Sequence, residues 1–441
     1  MLVIELWLLK EMFFNFCLSQ IITLHIILHG FIILPMSIKV KSEIGKLTKV
    51  MLHRPGVELE HLTPEYLSKL LFDDIPFLKV TQKEHDAFAS VLQKHGVEVV
   101  YLEDMMANVI EDVTMKKSFI KDFIASSGSI ARSNEKELYK YLMDIEDNKE
   151  LVLQTMAGIK DYRLTEKKEH PLSSLVQPKT TMVTDPIPNL YFTRDPFASI
   201  GNGVTLNHMY STTRRRETLY DNYVLQHHHS FGEKINFYYN PTLPYCIEGG
   251  DIFNFNKHVL GVGLSQRTTP EACEILANNI FDDEECTIDS ILAFDIPSLR
   301  AFMHLDTVFT QADINKFIIH PGILPSLRIF KLTRGKNESL KAEQLEGTLS
   351  EILMKELNLD SVKLINCGGN DSVVAEREQW NDGSNVLAIA PGKVIAYDRN
   401  IITNQMLIDS GIEVLTIPSS ELSRGRGGPR CMSMPLKREE L

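Results

Sequence analysis

The sequence predicts a mixed α/β fold: similar ββαβ modules in a closed arrangement, interrupted by a bundle of helices. Three observations point there. LQKHGVEVVYL at 92–102 matches LIDSGIEVLTI at 407–417 in kind: a helix end, a glycine where the helix stops, then a β-branched strand. IEGGDIFNFNKHVLGVG at 247–263 resembles INCGGNDSVVAEREQWNDGSNVLAIA at 365–390, each reading as a strand into Gly-Gly, a turn, and a strand at VLGVG or VLAIA. Repeats at opposite ends of a chain suggest a closed set of modules. Residues 103–175 break this rhythm, being rich in Met, Lys, Glu, Asp and Leu with few strand signals.

Taken in order, residues 1–35 differ from the rest. The stretch 12–34 is long enough to span a bilayer, but Asn15, Ser19, Gln20, His25 and His29 interrupt it. Glu5, Lys10 and Glu11 before it, and the lack of alanine in 1–35, argue against a signal peptide. We expect Met36 to be the start and 1–35 an upstream-start extension. Residues 36–102 read as the first modular segment. Within it, LTKVMLH at 47–53 is a strand stopped by Arg54-Pro55-Gly56, and 82–94 a helix with Phe88, Val91 and Leu92 on one face. Gly96 ends that helix, and Val97 to Leu102 is a strand. Residues 103–175 form an inserted helical domain, from spacings such as Phe119/Phe123 and Leu138/Leu142, with KKEH at 167–170 before Pro171 as its exit linker. Residues 176–441 supply the remaining modules. SRGRGGPRC at 423–431 is a loop that places Cys431.

Composition narrows the function. The chain has 441 residues, 44% hydrophobic and 24% charged, as in an ordinary globular protein. Lys plus Arg is 46 against 58 Asp plus Glu, a formal charge of −12, which disfavours nonspecific nucleic-acid binding and suits a cationic substrate. Six cysteines (Cys17, Cys246, Cys273, Cys286, Cys367, Cys431) are too scattered for a disulfide framework, and none forms a CxxC pair. A structural zinc site is not expected, and a reducing cytosol fits.

Four motifs carry chemistry. FTRDP at 192–196 sets Arg194 and Asp195 at a strand terminus, where a carboxylate can face a cleft. IEGGD at 247–251 places Glu248 and Asp251 around two glycines that permit close approach to a ligand. MHLDTVF at 303–309, read as a strand, puts His304 and Asp306 on one face as a general acid/base and an anionic anchor. Cys431 follows Arg430, with Arg424 and Arg426 close by; cationic neighbours and loop N–H groups stabilise a thiolate. The other cysteines read as small buried hydrophobes. His227-His228-His229 reads as an exposed loop, since adjacent histidines diverge. Arg214-Arg215-Arg216 is weak as a nucleic-acid signal but can offer a carboxylate contact. A Cys–His pair needs one acid to orient it. Extra carboxylates suggest a planar cation, because guanidinium offers five donors that carboxylates receive bidentately.

FTRDP, EGGD, MHLDTVF and SRGRGGPRCMSMPL together resemble the arginine deiminases of the guanidino-group-modifying (pentein) superfamily, from about Met36 to the C-terminus. The resemblance implies a five-module pseudo-symmetric α/β propeller with an inserted helical bundle. It implies hydrolysis of L-arginine to L-citrulline and ammonia, the first step of arginine deiminase catabolism, without cofactor or metal. Cys431 would attack the guanidinium carbon to form an amidino-thioether, Asp195 and Asp306 would clamp the guanidinium, and Glu248 and His304 would shuttle protons. Asn189, Arg214, Arg267 and Arg426 align with positions holding the substrate's α-carboxylate and backbone. Arg430 stands where some relatives carry His, which would tune reactivity. The family implies a cytoplasmic enzyme, commonly homo-oligomeric, with L-arginine and water as its substrates.

Other readings stay in view. Agmatine deiminase would not need arginines for a carboxylate. A thiol peptidase using Cys431 and His304 would leave Asp195, Glu248 and Asp306 without collective purpose. A non-enzymatic arginine-binding protein would tolerate loss of Cys431.

Overall fold

A computed structural model describes residues 38–164, 182–231, 235–336 and 339–441. Five of its six sheets repeat one plan: an antiparallel pair of strands, one of which also pairs parallel with a third. Parallel pairing requires a crossover, and in each module a helix supplies it. In the first module β1 (Leu47–Leu52) crosses through helix Leu78–Lys94 to β2 (Glu98–Tyr101). A small pair, β3 (Ile159–Lys160) and β4 (Met182–Thr184), precedes the second module. That module is β5 (Phe197–Ile200), β6 (Gly203–Leu206), helix Glu217–His227 and β7 (Phe237–Tyr239). The third is β8 (Ile252–Asn254), β9 (Val259–Leu264), helix Pro270–Phe281 and β10 (Ser290–Asp295). The fourth begins with β11 (Phe309–Asp313) and β12 (Lys316–Ile319). A hairpin of β13 (Arg328–Arg334) and β14 (Leu340–Gln344) then leaves to extend the third sheet, and helix Leu349–Leu357 leads to β15 (Lys363–Asn366). The fifth is β16 (Leu387–Ala390), β17 (Lys393–Tyr397), helix Ile401–Asp409 and β18 (Glu413–Ile417). The last strand, β19 (Met434–Arg438), returns to pair antiparallel with β1 and closes the ring.

Apolar side chains pack chiefly where modules meet. One buried cluster joins modules one and five, another three and four, another four and five. The largest unites modules two and three with five helices between Leu102 and Ala157. Phe119, Phe123, Leu138 and Leu142 are all buried there, and Asp112 and Asp147 cap two of the helices through their carboxylates.

The first repeat marks equivalent elements: 92–102 and 407–417 end the crossover helices and form the third strands of modules one and five. The second repeat does not. VLGVG lies in β9, a second strand, whereas VLAIA lies in β16, a first strand. Gly249 and Gly250 sit in a 3₁₀ turn, while Gly368 and Gly369 take φ of 71° and 72°, so the same letters serve different turns. The first crossover helix starts at Leu78 rather than 82, because Phe77 O accepts the N–H groups of Val80 and Thr81 and Leu78 is buried. Strand β2 stops at Tyr101, since Leu102 opens the next helix. The segments read as an upstream extension (1–35) and as an exit linker (167–171) lie outside the described residues. Among the described residues no helix is long and apolar enough to cross a membrane.

Candidate active site

Every module sends the loop before its first strand to one place. Asp195 precedes β5, Glu248 and Asp251 precede β8, and His304 and Asp306 precede β11. Asp382 and Asn385 precede β16, and Cys431 precedes β19. Asn189, Asp195, Arg214, Arg267, His304, Arg426 and Cys431 line one narrow recess. Glu248 and Asp306 sit behind its wall, fully buried.

The segment 303–309 is not a strand. Leu305–Thr307 is a 3₁₀ turn, and β11 begins only at Phe309. Thr307 and Val308 donate their N–H groups to His304 O and Leu305 O, which closes the turn. Asp251 anchors it from the neighbouring module: its Oδ1 accepts Leu305 N–H at 2.7 Å, and its Oδ2 accepts the Ser265 and Thr268 hydroxyls, each at 2.7 Å. His304 and Asp306 reach the site from this turn. Gly250 is required beneath it, since a Cβ there would come within 2.6 Å of His304 Nδ1.

His304 and Glu248 form a tight buried pair. His304 Nε2 lies 2.7 Å from Glu248 Oε2, and Nδ1 lies 3.9 Å from Asp195 Oδ1. Tyr210 N–H donates to Glu248 Oε1 at 2.9 Å, and Arg267 Nη1 is 3.6 Å from Oε2. Burial works against the His304 charge, but Asp195, Glu248 and Asp251 raise its pKa to about 9. Burial would likewise raise Glu248; Arg267, His304 and Arg214 prevail and hold it well below the usual carboxylate range.

Around the thiol, Cys431 Sγ is 3.6 Å from Asp306 Oδ2 and 3.1 Å from Asn385 Nδ2. Burial, with Asp306, Asp195 and Asp382, pushes the thiol pKa well above its ordinary value; Arg430 opposes them. Arg430 is itself fully buried, with Nη1 2.8 Å from Asp306 Oδ2 and its guanidinium 3.9 Å from the Phe253 ring centroid.

Asp195 Oδ1 and Asp306 Oδ1, beside His304 and Cys431, are among the buried carboxylate oxygens that have no hydrogen-bond partner among the described residues, as is Asp382 Oδ2. The same holds for Arg267 Nη1 and for Nε and Nη1 of Arg426. Buried polar atoms are rarely left so, and these mark where an anionic and a cationic ligand group belong. Arg426 adopts φ of 63° and stacks 3.3 Å from the Trp380 ring centroid, which fixes its plane. Asn189, which lines the recess, donates Nδ2–H to Leu70 O at 2.8 Å. Arg214 differs from its fellow arginines: Nη1 meets Asp195 Oδ2 at 2.8 Å, and Nε and Nη2 grip Glu217. Asp195, Glu248 and His304 also offer ligand atoms within 4.8 Å of one another, the spacing of a cation site.

Elsewhere, Cys273 and Cys367 are buried and Cys246 and Cys286 partly so, while Cys17 lies outside the described residues. The histidine triplet is exposed at His227 and His229, as expected, but His227 ends a helix and His228 is buried, stacked on His229 with 4.4 Å between centroids. Sequence reasoning missed Asn385, Glu217 and Glu43. The signal for Asn385 was NDGSN at 381–385, which precedes β16 as FTRDP precedes β5.

The family model for arginine deiminase matches residues 68–438. An arginine deiminase of Treponema denticola is 54% identical over 406 residues, covering 92% of this chain and 99% of that protein. One from Streptococcus agalactiae serotype V is 51% identical over 406 residues, 92% of this chain and 98% of its own. An amidinotransferase of the saxitoxin pathway from Microseira wollei shares the fold, at a TM-score of 0.53 and 14% identity over 92% of this chain and 98% of that one. The inosamine-phosphate amidinotransferase of Streptomyces griseus does so at 0.50 and 15%, over 92% and 98%.

Proposed function

The chain belongs to the arginine deiminase family, and from that premise we propose how its recess converts L-arginine and water into L-citrulline and ammonia. The observation that carries the reading is the pair of unpartnered carboxylate oxygens, Asp195 Oδ1 and Asp306 Oδ1, with the Cys431 sulfur beside the second carboxylate. A guanidinium entering between them satisfies both and presents its carbon to sulfur. Its positive charge also offsets the anionic neighbours that hold the thiol protonated, so the nucleophile forms as substrate arrives.

As the substrate's charge arrives, the Cys431 thiol gives its proton to solvent, and the resulting thiolate bonds to the guanidinium carbon. His304, kept protonated by Glu248 and Asp195, gives a proton to the departing nitrogen, and ammonia leaves an amidino-thioether. The imidazole, now neutral, takes a proton from water; the hydroxide adds to the same carbon, and the C–S bond breaks to release citrulline and the thiol. Arg267 and Arg426, with unpartnered donors, hold the α-carboxylate, and Asn189 meets the backbone end. Arg214 reaches that carboxylate only by giving up Asp195.

On the same reading, residues 36–102 and 176–441 build the propeller, 103–175 are its insertion, and 1–35 are an extension outside the working unit. The enzyme acts in the cytoplasm as a homo-oligomer, a state supported by exposed Val373, Ile401, Ile402 and Ile408 on two adjacent helices.

Citrulline formation by the full chain, measured beside its Cys431→Ser variant, tests the mechanism. Product from the first and none from the second is expected. Turnover by a folded Cys431→Ser chain overturns the covalent route. A preference for agmatine over L-arginine overturns the carboxylate assignment.

A further inference from the structure

The five modules are built alike, so a position that feeds the site in four of them is informative in the fifth. Modules one to four deliver Cys431, Asp195, Glu248 and the His304–Asp306 pair, each from the loop before the first strand. The equivalent loop of module five, 381–386, ends with Asn385 just ahead of β16. Asn385 is fully buried.

Its amide orientation is fixed by its neighbours. Oδ1 accepts the Cys431 backbone N–H at 3.0 Å, a bond that only the oxygen end can make. Nδ2 therefore faces the other way, 3.1 Å from Cys431 Sγ and 3.2 Å from the Asp306 backbone oxygen. The backbone of the nucleophile loop is shaped to this residue: a Cβ at Gly428 would lie 2.5 Å from Asn385 O and 2.9 Å from its Cβ. Among the described residues, Asn385 is the side chain whose N–H donor points at the sulfur.

We propose that Asn385 is a catalytic residue, whose Nδ2–H stabilises negative charge on Cys431 Sγ as the thiolate forms and again as it leaves the amidino-thioether. The inference rests on Cys431 being the nucleophile. The need for such a donor is plain from the surroundings. Asp306, Asp195 and Asp382 all disfavour a thiolate here, and Arg430 meets Asp306 rather than sulfur. A neutral donor preorganised in a dry site is effective because it need not reorganise during reaction. It also adds no cation to compete with the substrate for the carboxylates.

Two variants separate this role from a structural one. Asn385→Asp keeps the acceptor for Cys431 N–H but loses the donor; Asn385→Ala loses both. The measurements are kcat and KM for L-arginine, the thermal midpoint, and the pH midpoint of Cys431 alkylation by iodoacetamide with millimolar guanidinium chloride present. Both variants are expected to lose about 100-fold or more in kcat, the scale seen when one such donor is removed, and to shift the alkylation midpoint upward by at least about one pH unit. KM is expected to stay within about threefold. If either variant folds and keeps the wild-type kcat and alkylation midpoint, the inference is overturned. In particular, a normal Asn385→Asp beside a defective Asn385→Ala assigns the residue to holding the loop backbone alone. The full chain with Cys431→Ala keeps the two levels apart. Citrulline from it overturns the nucleophile reading beneath, whereas its silence beside a normal Asn385→Asp overturns only the role given to Asn385.

Discussion

Arg430 Nη1 lies 2.8 Å from Asp306 Oδ2, and the Nε of the same guanidinium lies 3.2 Å from Glu43 Oε2. One buried cation thus ties a carboxylate of the site to a carboxylate from the segment before β1. Its Nη2 donates to Ile252 O at 2.7 Å, so module three is joined as well. Because Arg430 takes Oδ2, Asp306 has only Oδ1 left to offer a ligand. Removing the cation leaves Asp306 without its ion pair and Glu43 with only Arg194 and Arg438 to offset its buried charge. Arg430→Met is therefore expected to destabilise the fold by roughly 3–5 kcal/mol, read by denaturant unfolding, and to abolish turnover. A variant as stable as wild type would show that the network is not structural.

Asp195 and Asp306 each keep one free oxygen for the guanidinium. Asp195→Asn and Asp306→Asn remove a charge with little change in shape. Each is expected to lower kcat/KM by about 100-fold to 1,000-fold, on the scale of losing one preorganised electrostatic contact. Steady-state citrulline assays check this, and a loss below about tenfold in both would end the clamp assignment.

Activity should fall at high pH through His304. Its pKa is raised to about 9, so the imidazolium proposed to protonate the departing nitrogen persists below that value and is lost above it. The basic limb of kcat/KM against pH is expected near 9, as this ratio reports the free enzyme. Glu248→Gln removes a hydrogen-bonded anion and should move that limb to lower pH. A limb that stays in place in Glu248→Gln would assign it to another group.

Arg267 and Arg426 are expected to act on binding more than on chemistry. A hydrogen bond to a charged group contributes about 1.5–3 kcal/mol, which is roughly 10-fold to 150-fold in affinity. Arg267→Gln and Arg426→Gln should raise KM by about that factor with a smaller change in kcat. They should also narrow the preference for L-arginine over agmatine, measured as a ratio of kcat/KM values.

His53 is a stability element that does not line the recess. It is buried with Nδ1 2.7 Å from Glu103 Oε2 and Nε2 3.3 Å from Glu58 Oε1. Burial disfavours its charge, yet Glu103 and Glu58 raise its pKa to about 10. A raised folded-state value means stability fully present below the unfolded pKa of about 6.5 and lost as pH climbs through about 10. His53→Gln should cost about 3 kcal/mol at neutral pH and flatten the loss of stability between about pH 7 and 10. Thermal unfolding at several pH values checks both.

Much of this was legible in the chain. The glycine-stopped helix followed by a β-branched strand identified the ends of modules one and five, because Gly96 and Gly411 hold φ of 78° and 75° that other residues resist. Asp195, Glu248, His304, Asp306 and Cys431 were visible as charged or nucleophilic letters beside glycine and proline. The 3₁₀ turn at Leu305–Thr307 was not, since alternation in MHLDTVF mimics a strand and Asp251, which anchors the turn, lies in another module. Glu43 was invisible for a related reason: it belongs to no local pattern and matters through Arg430, 387 positions away. Asn385 had only a faint local signal in NDGSN, and its partner Cys431 lies 46 positions away.

The pairing of β19 with β1 joins Met434 to Met51 and Arg438 to Leu47. On a ribosome the chain emerges from its N-terminal side, and folding tends to follow that order. Modules two to five can therefore assemble while the first sheet still lacks its outer strand. Cys431 enters with the segment that supplies this strand. The Cys431 sulfur is translated after all five crossover helices, and a nascent chain holds a recess without it until β19 pairs with β1. Truncation anywhere upstream of β19 would give a fragment that can neither close nor react, so premature termination yields inert products rather than partly active ones.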